Sequence, residues 1–239
     1  FTSVLSGMGT ALKAAAAATA AAVAGAATAI GALTTKAIEG YAAQEQLVGG
    51  VETLFKTSSD TVVGYANDAY KTAGMSANEY METVTSFSAS LLASMNNDTA
   101  AAAEKANVAI TDMSDNANKM GTDISLIQNA YNGFAKQNYT MLDNLKLGYG
   151  GTKEEMQRLL DDASKLSGIK YDISSYSDVV DAIHVVQTEM GITGTTAKEA
   201  STTIEGSVSS MSSAWDNWVA GMADSEANFS QLTSNLVDS

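Results

Sequence analysis

The stretch AAAAATAAAVAGAATAIGALTT, residues 14–35, carries no charged side chain, and thirteen of its twenty-two positions are alanine. Alanine is the strongest helix former, because it gives up no side-chain rotamer freedom on entering a helix. The whole chain of 239 residues also lacks proline, the residue that removes a backbone donor and clashes with the preceding turn. A helix that starts in this run therefore meets no covalent stop. Beyond the run, Val23, Ala26, Ile30, Leu33, Ala37, Tyr41, Gln44, Val48, Val51 and Phe55 follow at steps of three or four, the apolar stripe of an α-helix. The two successive steps of four from Leu33 to Ala37 to Tyr41 form a stutter, which locally unwinds a coiled coil. Read as one helix from about Thr10 to Lys56, the segment is a rod roughly 70 Å long at 1.5 Å per residue. Gly49-Gly50 marks the place where that rod is expected to break or kink.

Two uses of the uncharged run are open. About twenty apolar residues suffice to cross a bilayer, so membrane contact by residues 14–35 is one. Alanine is only weakly apolar, however, and four threonines and two glycines dilute the run. Ala21, Gly25 and Ala29 stand at four-residue spacing, which suits close packing of one helix backbone on another. The second use is thus a self-association seam built from Val23, Ala26, Ile30, Leu33, Tyr41, Val48, Val51 and Phe55, most simply a parallel, trimeric bundle.

Downstream the signals are those of shorter amphipathic helices. One runs from about Asp60 to Ala73 and stops at Gly74; the next opens with the capping box Ser76 and Glu79, in which side chains and orphan amides satisfy each other. A third follows Asp98, with Ala106, Ala109, Met113, Ala117 and Met120 on its stripe, and stops at Gly121. Ile124 to Phe134 and Thr152 to Gly168 bracket two more, and a third is capped by Ser175 or Ser177 and ends at Gly191. Thr196 and Glu199 are expected to box a long helix whose inward stripe is Ile204, Val208, Met211, Trp215, Trp218 and Met222, and Phe229, Leu232 and Leu236 mark a last short one. No segment alternates apolar and polar residues long enough for a strand. The fold class is all-α: an Ala-rich helical rod or coiled coil over residues 1–57, a multi-helix bundle over 58–223, and the start of a further helical segment over 224–239. Tyr139 to Gly151 is the longest stretch without helical period, yet it crowds six apolar or aromatic side chains together. Packing back onto the bundle is the ordinary explanation. A partner surface bearing Tyr139, Leu147 and Tyr149 is the sharper one.

Charge and chemistry narrow the function further. A net charge of −14 opposes binding to phosphate backbones, which needs clustered Lys and Arg, so no sequence-specific nucleic-acid binding is expected. Zero cysteines exclude disulfides and thiolate chemistry. The single histidine, His184, has no second one to share a metal or a proton relay with, and reads as a surface or boundary residue. Glu154-Glu155 belong to a first helical turn, where the macrodipole favours anions. Asn116 to Gly121 fails as a calcium loop, since Met120 fills a ligand position and Ile127 stands where the bidentate glutamate belongs. Gly148, Gly150 and Gly151 precede a helix start, but Thr152-Lys153 is in the wrong order for a nucleotide-binding loop. No catalytic, cofactor or metal site is expected.

Several long segments carry a resemblance. They are QEQLVGGVETLF at 44–55, AGMSANEYMETVTSFSASLL at 73–92, MSDNANKMGTD at 113–123, QNAYNGFAKQNYTMLDNLKLGYGGTKEEMQRLL at 128–160 and KYDISSYSDVVDAIHVVQTEMGITGTTAKEASTTIEGSVSSM at 170–211. Together they resemble an internal region of the tail tape measure proteins of phages and prophages from Gram-positive hosts, and the chain, which opens on Phe1, is expected to be a stretch of something longer. The resemblance implies an elongated helical structural protein, present in several copies in the tail tube lumen and at the tail tip, and in the host cell during assembly. Its partners would be tail-tube and distal-tail proteins, its length would set tail length, and it would leave ahead of the DNA at ejection. On this reading residues 58–223 anchor the tip and the rod is the ruler. The rival reading is an α-helical pore-forming protein that inserts the Ala-rich run into a membrane.

Overall fold

A computed structural model describes residues 20–200, 204–222, 224 and 228–238, with side chains from residue 35 onward apart from those of 204–209 and 229. Among these residues every regular element is helical. The first, α1 (Ala20–Phe55), is a single helix of 36 residues, about 54 Å long at 1.5 Å per residue. It runs through Gly49-Gly50 without interruption. The break comes instead at a 3-10 turn, Lys56–Ser58, where Lys56 takes a positive φ of 51°. Seven further elements follow: α2 (Ser59–Thr72), α3 (Ala77–Ser94), α4 (Thr99–Met120), α5 (Ile124–Phe134), α6 (Lys153–Ser167), α7 (Tyr176–Glu189) and the short α8 (Thr195–Ala200). Then come α9 (Ile204–Gly221) and α10 (Phe229–Asp238).

Local chemistry explains most of these boundaries. Ser76 accepts a hydrogen bond from the Glu79 amide while the Glu79 carboxylate accepts from the Ser76 amide, closing the capping box of α3. Asp98 accepts from the amides of Ala100 and Ala101 at the start of α4, and Ser175 accepts from Asp178 at the start of α7. Gly121 and Gly168 end α4 and α6 in the left-handed conformation, at φ 62° and 74°, where a Cβ would be strained. The box expected at Thr152 is half made. Thr152 accepts from the Glu155 amide, but the Glu155 carboxylate turns to the Gly150 amide and the Arg158 guanidinium. The Gly150 amide, a candidate anion donor, is thereby occupied by the chain's own carboxylate.

Helix α4 lies at the centre, packed against α1, α2, α3, α5, α7 and α8. Its first half presents Ala102, Ala103, Ala106 and Ala109, all buried; alanine there lets neighbouring backbones come close. Around it gather Tyr80, Val84 and Phe87 of α3, Ile127, Tyr131 and Phe134 of α5, and Val179, Ile183 and Val186 of α7.

Two corrections follow. The boundary expected at residue 57 falls inside one core, because Val51 and Phe55 are wholly buried in the same cluster as Tyr80 and Ile110. Helix α1 packs on α2, α3 and α9, with Gly40 against Ala220 and Val51 and Phe55 in the core, so this part of the helix is bundle rather than a separate rod. The second correction concerns α9. Its inward face is Ser210, Ser213, Ala214, Val219 and Ala220, while Met211, Trp215 and Met222 are exposed. A Cβ on Gly40 would lie 3.2 Å from that of Ala220, so α1 and α9 meet backbone to backbone, too closely for a tryptophan between them.

Continuity of α1 through Gly49 has a measurable consequence. Nothing lies within 4 Å of a Cβ added there, and glycine in a helix interior costs more backbone entropy than alanine. Gly49→Ala should therefore raise unfolding stability by about 0.4–1 kcal/mol in urea titration; a loss of stability would mean that the helix bends at this point.

Candidate functional site on helix α4

The second half of α4 is buried like a core helix but is polar. Asp112, Ser114, Asp115 and Asn116 have relative exposures of 1%, 8%, 0% and 0%. Such groups destabilise a fold unless each finds a partner, and here each partner sits in a different segment. The Ser114 hydroxyl donates to the Ala73 carbonyl, in the turn between α2 and α3. The Asn116 amide donates to the Leu145 carbonyl at 3.0 Å, in the loop before α6. The Asp115 carboxylate accepts from the Gly194 amide at 2.6 Å and the Thr196 amide at 2.8 Å. It thus takes the N-capping role at α8 that Thr196 was expected to fill, from 79 residues away in sequence.

Asp112 reaches across to α7, where His184 Nδ1 donates to its carboxylate at 2.9 and 3.0 Å. Burial pushes the Asp112 carboxyl above its usual range, against the lowering effect of His184. The hydrogen bond to Asp112 raises His184, with burial opposing. Beside this pair Lys105 and Asp181 form an ion pair, and the Tyr131 hydroxyl lies near Asp112, Tyr176 and Gln187. Full burial holds the Tyr131 phenol well above its ordinary pKa. Gln187 is wholly buried too, beside that phenol.

A carboxylate on a histidine nitrogen can orient an imidazole as a base. Here neither Asp112 nor His184 lines the cavities of about 610, 520 and 310 Å3 found elsewhere on the surface. The pair does what the rest of the cluster does: it ties α4 to another segment. His184 was read as a boundary residue, and its side chain is 37% exposed; the buried partner is what that reading missed. The signal was present in the pattern, since Asp112 and Asn116 follow Ala109 and Met113 of the apolar stripe by three residues.

The residues expected to associate with partners fall elsewhere. Val23, Ala26, Ile30 and Leu33 lie on α1, but their side chains are outside the described set. Tyr41 and Val48 are half-buried. Val51 and Phe55, as core residues, are not open to a second chain. The loop residues are corrected as well. Tyr139 and Leu147 are buried at 4% and 6% exposure, and the Tyr139 hydroxyl donates to the Ile173 carbonyl at 2.9 Å. Tyr149 is half-buried beneath Arg158, whose guanidinium sits 4.2 Å from the ring centroid. Its hydroxyl donates to Asp162, and burial with that bond pushes it up to about 12. The loop folds onto its own bundle because its apolar side chains find the core before they find a partner.

Among the described residues no cluster of His, Cys, Asp and Glu could hold a metal ion, and no helix is long and apolar enough to cross a membrane. Compared with known proteins, the chain matches no family model, no curated protein and no solved structure.

The Asp112–His184 tie makes stability depend on pH. A histidine raised in the folded state adds stability that is fully present below its unfolded pKa, near 6.5, and lost as pH rises through the folded value. His184→Gln should therefore cost about 2 kcal/mol at pH 6, and the gap to the unmodified chain should narrow as pH rises past neutrality. A gap that is constant with pH, read from urea unfolding, would mean that the imidazole is not charged in the folded protein.

Proposed function

We propose that this chain is an internal stretch of a phage tail tape measure protein, a structural component without catalytic activity. The observation that carries the reading is the length and number of the sequence segments, from Gln44 to Met211, that resemble that family. Physical chemistry is in accord with it. A helix gains 1.5 Å per residue, so residue count converts directly into distance, and α1 holds 36 residues in one uninterrupted helix in a chain without proline. With Ala37, Val51 and Phe55 buried and Gly40 against Ala220, we put the junction between ruler and anchor N-terminal to about residue 37. The bundle built around α4 is then the anchoring part, docked at the tail tip against distal-tail proteins, in several copies within the virion.

The pore-forming alternative has less behind it. It needs α1 to enter a bilayer, and no described helix, α1 included, is apolar enough to span one.

The ruler role is tested in the phage or prophage that encodes the chain. Each in-frame duplication of residues 14–35 adds twenty-two residues, and should lengthen tails by about 33 Å as measured by electron microscopy. Tails of unchanged length in virions that contain the lengthened protein would overturn the proposal, as would purified virions lacking its peptides.

A further inference from the structure

Helix α9 is amphipathic the wrong way round for a helix docked on a core. Its buried side is small and polar: the Ser213 hydroxyl donates to the Gly74 carbonyl at 3.1 Å, and Asn217 accepts from the Ala77 amide at 2.8 Å. The large apolar side chains point outward. Met211, Trp215 and Met222 are 50%, 44% and 40% exposed, and Trp218 stacks on Trp215 with ring centroids 5.3 Å apart. Trp218 is held in place by α10, its indole donating to Thr233 at 3.3 Å. Two exposed methionines and an exposed tryptophan, with the half-buried Trp218 beside them, form a surface that water covers at a cost, and such surfaces mark contact sites.

Spacing and packing together say what covers it. Ile204, Val208, Met211, Trp215, Trp218 and Met222 are separated by four, three, four, three and four residues, a strict 3.5-residue repeat. Such spacing serves a core-packed helix as well as a helix pair, but here the core takes the opposite, small-residue face and α10 reaches the stripe at Trp218, which leaves Met211 and Trp215 open to a helix running alongside. Charge then narrows the partner. The chain carries −14, yet between Met211 and Met222 the only charged side chain is Asp216. A second copy can approach along this face while desolvating almost no carboxylate. No Lys or Arg occurs after Lys198, so the helix lacks the basic residues with which interfacial helices hold anionic lipid. Area agrees as well. Three large side chains about half exposed offer on the order of 300 Å2 of apolar surface per copy. At the usual apolar share of an interface this corresponds to about 1,000 Å2 in total, the lower end for specific association.

We propose that two copies of this chain associate along α9, through Met211, Trp215, Trp218 and Met222. The proposal stands independently of the tape-measure reading, since it needs only the face, its repeat and its charge. Sedimentation velocity on the full chain from roughly 1 to 200 μM should show a reversible monomer–dimer equilibrium of modest affinity. Tryptophan emission should move to shorter wavelength as the dimer forms, and raising NaCl from about 0.05 to 0.5 M should tighten it by screening two acidic chains. Trp215→Glu should weaken the dimer at least about thirtyfold, and Met211→Gln more mildly, both with unchanged circular dichroism because the positions are exposed. A monomer at every concentration would overturn the proposal. So would a dimer indifferent to both substitutions but dissolved by Ile30→Asp with Leu33→Asp, which places the seam on α1. An emission shift seen only with anionic phosphatidylglycerol vesicles would assign the face to lipid and overturn it too.

Discussion

A polar side chain buried without a partner costs roughly 1–3 kcal/mol, and the second half of helix α4 carries four within five residues, spread around the helix: Asp112, Ser114, Asp115 and Asn116. That constraint organises the molecule. Satisfying Ser114 draws in the turn after α2, Asp115 draws in the turn before α8, Asn116 draws in the loop before α6, and Asp112 draws in α7. Each connection is made by one hydrogen-bonded group, and none tolerates a shifted register, because the neighbouring helical position is one turn or a different face away. The apolar half of the same helix, with its row of alanines, supplies close packing but little direction. The polar half decides which segment sits where.

The division is not explained by stability alone. An apolar core of the same volume would be at least as stable, since buried charged pairs rarely repay their desolvation. What the polar ties add is a single arrangement of turns around a central helix. A bundle held this way presents fixed surfaces, among them the outward stripe of α9, while α1 leaves the same core as a helix of fixed rise.

The features legible from sequence are those settled within a few residues. The caps at Ser76, Asp98 and Ser175 and the glycine stops at Gly121 and Gly168 are decided by neighbours one turn away, and they stand where the residue types place them. The all-α class follows from the same local signals. What was not legible depends on distant partners. Thr196 looks like an N-cap until Asp115, far off in sequence, takes the role. Gly49-Gly50 looks like a break until α1 is seen packed against α2 and α3, where a continuous helix buries Val51 and Phe55 together. The stripe of α9 has a helical period, but period alone does not tell which side faces the core, and small residues on the other side made the closer fit. The loop around Leu147 is apolar for the commonest of reasons: it is part of the core.

The central claim is that the end of α1 and the polar half of α4 belong to one cooperative unit. Native-state hydrogen exchange on the full chain tests it most directly, followed residue by residue at increasing but sub-denaturing urea. The account predicts that the amides of Val51–Phe55 and those of Ala109–Asn116 merge onto one unfolding isotherm, with the Gly194 and Thr196 amides held by Asp115 joining them. A separate, shallower isotherm for Val51–Phe55, exchanging while α4 stays protected, would contradict it and restore α1 as a rod apart from the bundle.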